Sequence, residues 1–137
     1  MDHRELVVVA EDDDELRQCL LEALGSEHRK LIEVEDGSEL LDYLEFLWER
    51  GLQGSLPDLI FTDVQMPGLD GLQVVTWARA HGVTCPFVIL TGFADDTLKA
   101  AAAKLGSTIV LSKPQRLEAI REAAKQALAS QKETSVS

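Results

Sequence analysis

Five short runs of strand-type apolar residues alternate along the chain with longer segments of helical period. The runs cover residues 6–10, 31–34, 59–62, 87–90 and 108–111. The first, third and fourth runs are almost continuously apolar, which is typical of parallel strands covered by helices on both faces. This alternation predicts an α/β fold of five βα units, a doubly wound parallel five-stranded sheet in a three-layer sandwich with right-handed crossovers.

The segments between the runs have the apolar spacing and the boundary residues of helices. Asp13 and its neighbour Asp14 are predicted to cap the first helix, and Gly25 to end it in a left-handed conformation. Ser38 is predicted to cap the second. The last helix is predicted to open after residue 114 and to turn an apolar stripe that begins at Leu117 towards the sheet. The stretch 48–56 predicts either a longer second helix or a contact surface.

Length and charge limit the classes of function. The 137 residues predict one domain over 1–130 and a polar C-terminal tail over 131–137. With 24 acidic and 13 basic side chains, the net charge of -11 disfavours nucleic acid and anionic lipid as direct partners. The apolar runs are too short for a membrane span or a signal peptide, so we expect a cytoplasmic protein. Because the chain ends just after the fifth helix, we expect no attached output domain.

The chain has two cysteines, Cys19 and Cys85. Two cysteines without a CxxC spacing support neither a disulfide framework nor a zinc site. Both are therefore predicted to be small buried hydrophobic residues.

Polar residues follow the predicted strands at the edge where a doubly wound sheet binds its ligands. Glu11 and Asp12 follow the first strand, Asp63 the third, Thr91 the fourth and Lys113 the fifth. If the first and third strands are neighbours, the three acids converge and repel one another, so they need a cation. Oxygen ligands without His or Cys favour Mg²⁺.

A divalent cation, a carboxylate nucleophile, a hydroxyl and a lysine are together the groups that phosphoryl transfer to an aspartate requires. Each residue alone has a simpler explanation: an acidic run supplies charge to a helix N-terminus, and Asp63 precedes a turn-forming Met66-Pro67-Gly68. Five suitable residues on one sheet edge favour the chemical explanation over five coincidences.

The chain resembles the receiver domain of two-component response regulators, and in particular the single-domain, chemotaxis-regulator-like type. The resemblance rests on residues 7–13 with Arg17, on residues 57–71, on residues 88–92 and on residues 111–114, which together extend over nearly the whole chain. It implies the flavodoxin-like form of the predicted (βα)5 sandwich.

The resemblance also implies the chemistry of the site. Asp63 would accept a phosphoryl group from a sensor histidine kinase or a phosphotransfer protein. Asp12 and Asp63 would bind Mg²⁺ directly, Glu11 through water, and Gln65 through its backbone carbonyl. Lys113 would pair with Asp63 and then with the phosphoryl oxygens, across a peptide bond to residue 114 that is cis in the family. The protein would catalyse only its own phosphorylation and dephosphorylation and would not otherwise be an enzyme.

Signalling in such domains is a shift between conformers. Thr91 would turn its hydroxyl towards the new phosphate, and a downstream effector protein would bind the output face formed by the fourth helix, fifth strand and fifth helix. On that face Val110 replaces the aromatic residue found in many family members. Gln65 and Phe93 stand where family members tune the lifetime of the phosphoryl group, and the bulk of Phe93 is expected to obstruct attacking water.

Two other classes compete with this interpretation. A haloacid-dehalogenase-type enzyme needs a second aspartate two residues after the nucleophile, where this chain has Gln65. A pseudo-receiver, which would be a constitutive protein-interaction module, is favoured by Val110 and disfavoured by the presence of Asp12, Asp63, Thr91 and Lys113.

Overall fold

Five strands and five helices alternate along the chain in a computed structural model that describes residues 4–113 and 115–134, without the side chains of residue 53 and residues 130–134. In chain order the elements are β1 (Glu5–Ala10), α1 (Asp14–Leu24), β2 (Arg29–Val34), α2 (Gly37–Glu49), β3 (Leu59–Asp63), α3 (Gly71–Ala80), β4 (Phe87–Thr91), α4 (Asp96–Leu105), β5 (Thr108–Ser112) and α5 (Leu117–Thr134). Within the described residues, no helix combines the length and the apolar content needed to cross a bilayer.

The strands form one parallel sheet in the order β2-β1-β3-β4-β5. Val7 lies opposite Leu59, and Ala10 lies opposite Thr62, so the ends of β1 and β3 are neighbours. The winding direction of the chain reverses between these two strands, which is where ligands bind in open α/β sheets. The predicted doubly wound, flavodoxin-like (βα)5 fold is confirmed.

Alternate residues of the central strands pack into two separate apolar layers. Val7 and Val9 of β1 pack in a cluster with side chains of α1 and α5. Val8 and Ala10 face the other side and pack with side chains of α2 and α3. All four are essentially inaccessible to solvent. Because successive side chains of a strand point to opposite faces, a continuously apolar strand requires helices on both sides, and both layers are present.

Aspartates begin four of the helices. Asp13, Asp36, Asp70 and Asp95 each accept a hydrogen bond from a backbone N–H in the first turn of α1, α2, α3 and α4. The prediction of Ser38 as the cap of α2 was wrong, because Asp36 lies two residues earlier and its carboxylate accepts from the amide of residue 39. Each cap satisfies a free backbone N–H in the first turn and so stabilises the start of its helix.

Three sequence predictions about α1 and α5 were wrong. Gly25 has φ −65 and ψ 141, so α1 ends in extended rather than left-handed backbone. Cys19 is exposed, since it lies about 100° around the helix from the buried Leu20. Leu117 is also 38% exposed, because the buried stripe of α5 starts one turn later, at Ile120.

Three further predictions concern Cys85, the C-terminal tail and the peptide bond after Lys113. Cys85 is buried as predicted, and burial raises the pKa of its thiol to about 12. Helix α5 continues to Thr134, within the stretch predicted as a tail, while the domain boundary at residue 130 stays a prediction. The expected cis bond between residues 113 and 114 involves a residue outside those the structure describes.

The stretch 48–56 is not a long extension of α2. The helix ends at Glu49, and a 3₁₀ turn follows at Gln53–Ser55. The backbone N–H of Leu52 donates to the carbonyl of Leu47 at 2.8 Å, which folds the chain back onto the end of the helix. The side chain of Leu52 stays 43% exposed.

Candidate functional site

Three acids meet at the carboxyl ends of β1 and β3. Glu11 and Asp12 directly follow β1, and Asp63 is the last residue of β3. One carboxylate oxygen of each lies within 4.8 Å of the others. Glu11 and Asp63 are 1% and 5% exposed, whereas Asp12 is open to solvent. The three acids therefore form a half-open group of oxygen donors, which is the donor set that a hard divalent cation such as Mg²⁺ prefers.

Lys113 supplies one positive charge to this cluster. Its Nζ lies 2.5 Å from Oδ2 of Asp63 and 3.2 Å from Oε1 of Glu11. The backbone N–H of Lys113 donates to the carbonyl of Thr91 at 2.6 Å, which places the lysine at the end of β5 beside β4. Three carboxylates facing one ammonium group leave excess negative charge, so the cluster attracts a further cation.

The close packing of these charged groups shifts the pKa values of Glu11 and Lys113. Burial, followed by the charge of Asp63, raises the pKa of Glu11 to about 7, although the amide of Asp13 and the charge of Lys113 oppose the shift. Burial disfavours the charged form of Lys113, but its hydrogen bond to Asp63 and the charges of both acids outweigh that cost and raise its pKa. The ammonium form of Lys113 is thus favoured, while Glu11 holds its proton to a higher pH than an exposed glutamate does.

The loop after β3 is tied directly to the Asp63 carboxylate. The backbone N–H of Gln65 donates to Oδ1 of Asp63 at 3.0 Å, and the Gln65 side chain is exposed. This contact puts Gln65 next to the cluster, where its carbonyl was predicted to bind the cation. The ligand role of that carbonyl stays a prediction.

The Thr91 hydroxyl is engaged with its own loop. Thr91 is 3% exposed, and its Oγ1 accepts from the backbone N–H of Phe93 at 3.1 Å and lies 3.3 Å from the Phe93 carbonyl. The Phe93 side chain is 75% exposed, so it does not cover Asp63 in this conformation. To donate to a phosphate on Asp63, the hydroxyl would have to turn its proton away from the Phe93 carbonyl, while its oxygen could still accept from the Phe93 amide.

Val110 lies inside β5, paired with Ile89 of β4 and half-buried. It precedes Lys113 by three residues, which along a strand is about 10 Å. The structure therefore places Val110 on the sheet between α4 and α5 and does not bring it into the acidic cluster.

Arg17 is a residue of this region whose role the sequence did not predict. It is 6% exposed, and its guanidinium donates to the Glu11 carbonyl at 2.8 Å, to Glu33 at 3.1 Å and to Asp14 at 2.5 Å. The hydrogen bond to Asp14 contributes most to raising the pKa of Arg17. A signal was available: an arginine three residues before Leu20 falls on the buried face of α1, where a charge needs partners.

Close backbone approaches fix the loop between β3 and α3. A Cβ added at Gly71 would lie 2.4 Å from the carbonyl oxygen of Asp63. A Cβ added at Gly37, the first residue of α2, would lie 1.7 Å from the carbonyl oxygen of Leu69. The loop that follows Asp63 is thus held between the starts of two helices.

Comparison with known proteins agrees with this geometry. The model of the response regulator receiver domain family matches residues 7–125. The chain is 30% identical to the response regulator MprA of Mycobacterium sp. (strain KMS) over 112 residues, which are 82% of this chain and 45% of that protein. It spans less than half the length of the curated relatives it matches.

Solved structures show the same fold. The receiver domain of the Francisella response regulator 1452 superposes with a TM-score of 0.77 at 24% identity, covering 93% of this chain and 98% of that one. The receiver domain from the hybrid histidine kinase CckA has a TM-score of 0.69 at 26% identity and covers 90% and 98% of the two chains. With its fold, its acidic cluster and the family match over most of its length, this chain belongs to the response regulator receiver domain family.

Proposed function

We propose that this receiver domain accepts a phosphoryl group on Asp63 in a Mg²⁺-dependent reaction and then signals by binding another protein. The observation that carries the proposal is the meeting of Glu11, Asp12 and Asp63 with the ammonium of Lys113, 2.5 Å from Asp63. Four side chains from three separate strand ends have no structural need to converge at one open edge. Together they provide a nucleophile, cation ligands and a counter-charge.

The donor is a phosphohistidine of a sensor histidine kinase or of a phosphotransfer protein. A carboxylate oxygen of Asp63 forms a bond to phosphorus as the bond from phosphorus to the histidine nitrogen breaks, and that nitrogen keeps the electron pair and takes a proton. No general base is needed, because an ionised carboxylate is itself a nucleophile. The similarity to a receiver domain from a hybrid histidine kinase supports this class of donor.

The residues around Asp63 have separate tasks. Asp12 and Asp63 would hold Mg²⁺ directly and Glu11 through water, and the bound ion would supply positive charge to the transferred phosphoryl oxygens. Lys113 keeps its contact with Asp63 and offers its N–H groups to the same oxygens. The Gln65 amide, which donates to Oδ1, holds the carboxylate in one orientation. The protein thereby catalyses only its own phosphorylation and dephosphorylation.

The signal is a population shift that starts at Thr91. Once Asp63 carries phosphate, the conformer in which the Thr91 hydroxyl donates to it is favoured over the one in which that hydroxyl donates to the Phe93 carbonyl. The β4–α4 loop moves with it. The face of α4, β5 and α5, which includes Val110, then binds a downstream effector protein with altered affinity.

Intact-mass measurement with acetyl phosphate as a small donor tests the proposal. The wild-type protein should gain one phosphoryl group in Mg²⁺, and should gain none in EDTA or in Asp63→Asn. Asp96→Asn, which changes an exposed aspartate in the first turn of α4, is the matched control and should be labelled like the wild type. Labelling of Asp63→Asn would mean that another residue accepts the phosphoryl group. A folded wild type that is not labelled would favour the constitutive interaction module.

A further inference from the structure

Arg17 cross-links the elements that surround the acidic cluster. Its side chain is buried on α1, and its fork of N–H groups reaches the Glu11 carbonyl at the end of β1 as well as Glu33 on β2. A third contact, to Asp14, closes the start of α1. A single planar guanidinium thus holds two strands and a helix in one arrangement, which a lysine could not do with one point charge.

The contact with Glu11 is the one that bears on the site. The Glu11 carbonyl belongs to the peptide unit that joins Glu11 to Asp12, and that unit is planar and rigid. The N–H of Glu11 donates to Val34 at 3.2 Å, and its carboxylate contacts Lys113 and the Asp13 amide. Fixing the carbonyl therefore fixes the direction in which both acids leave the backbone.

We propose that Arg17 is a positioning residue for the cation site, acting through the Glu11 carbonyl. The inference deepens the proposed function and rests on it, since the ligand in question is Mg²⁺. The positive charge of Arg17 should affect Mg²⁺ binding in the direction opposite to this positioning role. A cation beside a cation site weakens binding by simple repulsion, so electrostatics alone predicts that removing Arg17 tightens Mg²⁺ binding. Positioning predicts the reverse.

This difference in sign makes the test decisive. Isothermal titration with Mg²⁺ alone, on the unphosphorylated 137-residue chain, measures the affinity without any phosphoryl transfer. We expect Arg17→Gln to bind Mg²⁺ about tenfold more weakly than the wild type, the size of effect seen when an outer partner of a metal ligand is lost. Arg17→Lys, which keeps the charge but loses the fork, should also bind more weakly.

Glu33→Gln is the matched control. It removes the negative charge of one partner of the guanidinium, on a side chain that is 49% exposed, and leaves the contact between Arg17 and the Glu11 carbonyl in place. Its Mg²⁺ affinity should stay within about twofold of the wild type, since surface ion pairs contribute little. Circular dichroism at the titration temperature establishes that each variant is folded, and Arg17→Lys carries the test if Arg17→Gln does not fold.

Each result has one meaning. Unchanged or tighter Mg²⁺ binding in the folded Arg17 variants would overturn the inference and leave Arg17 with a role in stability alone. Equal weakening in Glu33→Gln would overturn it too, because the effect would then not depend on the carbonyl contact. A wild type that binds no Mg²⁺ would instead contradict the proposed function, so the two failures are distinguishable.

Discussion

The ammonium of Lys113 lies 2.5 Å from Oδ2 of Asp63, although the two residues are 50 positions apart in the sequence. The contact exists because β3 and β5 flank β4 and end at the same edge of the sheet. In the proposed reaction it would place the counter-charge before any phosphate arrives, so that little rearrangement of this side chain would be needed when charge develops. The same contact means that Lys113 occupies part of the surface that a cation would use.

Replacement of Lys113 by Met should separate these two effects. We expect Lys113→Met to be labelled by acetyl phosphate at least about tenfold more slowly, because an electrostatic donor to the phosphoryl oxygens is lost. Its Mg²⁺ affinity should be equal to or higher than that of the wild type, since a competing cation is gone. Mass-detected labelling rates and isothermal titration measure the two quantities.

Lys104→Met is the control for a lost surface charge, because Lys104 is an exposed residue in the last turn of α4. It should match the wild type in both measurements. Weaker Mg²⁺ binding by Lys113→Met would mean that the lysine supports the cation site instead of competing for it.

The raised pKa of Glu11 makes the stability of the metal-free protein depend on pH. Burial raises this pKa from 4.5 in the unfolded chain to about 7 in the folded protein, so the folded state binds more protons between these values. The stabilising contribution of the protonated form is complete below pH 4.5 and is lost as the pH rises through 7. We therefore expect the free energy of unfolding in EDTA to fall across this window.

Urea unfolding of the wild type and of Glu11→Gln, carried out between about pH 5 and about pH 8, measures how the free energy of unfolding changes with pH. The variant cannot ionise at this position and should show a flatter profile. With saturating Mg²⁺ the slope of the wild type should reverse, because the ion selects ionised carboxylates. Parallel profiles of the two metal-free proteins would mean that Glu11 titrates normally.

Topology explains why so much of the site could be predicted. Asp12, Asp63 and Lys113 follow strands whose apolar runs are clear in the sequence, and parallel strands place their carboxyl ends at one edge. Once β1 and β3 are neighbours, the acids must meet. The types of residue then indicate the chemistry. Local sequence patterns are therefore enough to predict both where these residues lie and what they can do.

Local sequence patterns could not predict the contacts between elements that are distant in the sequence. The cap of α2 is an exception, because Asp36 and Glu39 have the spacing of a capping box, so the sequence itself favoured Asp36 over Ser38. The exposure of Leu117 depends on how α5 sits on the sheet. The contact of Arg17 with the Glu11 carbonyl depends on the packing of α1, which helical period predicts only as a buried face.

Phe93 is predicted to slow the loss of the phosphoryl group. Its ring is 75% exposed here, and its backbone is tied to the Thr91 hydroxyl. In the proposed switch the hydroxyl keeps this bond as it turns towards the phosphate, so the segment that carries Phe93 would follow and bring the ring over the path of attacking water. We expect phosphorylated Phe93→Ala to lose its label severalfold faster than the wild type, as measured by intact mass after removal of the donor.

Phe46→Ala is the matched control, because Phe46 is 51% exposed on α2, outside the β4–α4 loop. It should lose its label at the wild-type rate. A decay rate that is the same in Phe93→Ala and in the wild type would exclude a shielding role for the ring.

Gly37 should tolerate no side chain. Replacing a glycine in a helix by alanine ordinarily stabilises a protein by up to about 1 kcal/mol. Here the added Cβ would lie 1.7 Å from the carbonyl oxygen of Leu69 and 2.6 Å from its carbon, so α2 or the loop after β3 must move. We expect Gly37→Ala to lower the free energy of unfolding by roughly 1–3 kcal/mol, as in overpacked cores.

Gly54→Ala, whose added Cβ would meet nothing within 4 Å, should stay within about 0.5 kcal/mol of the wild type. Urea unfolding shows whether Gly37→Ala raises or lowers the free energy of unfolding. A Gly37→Ala protein that is more stable than the wild type would mean that α2 does not pack against the loop that follows Asp63.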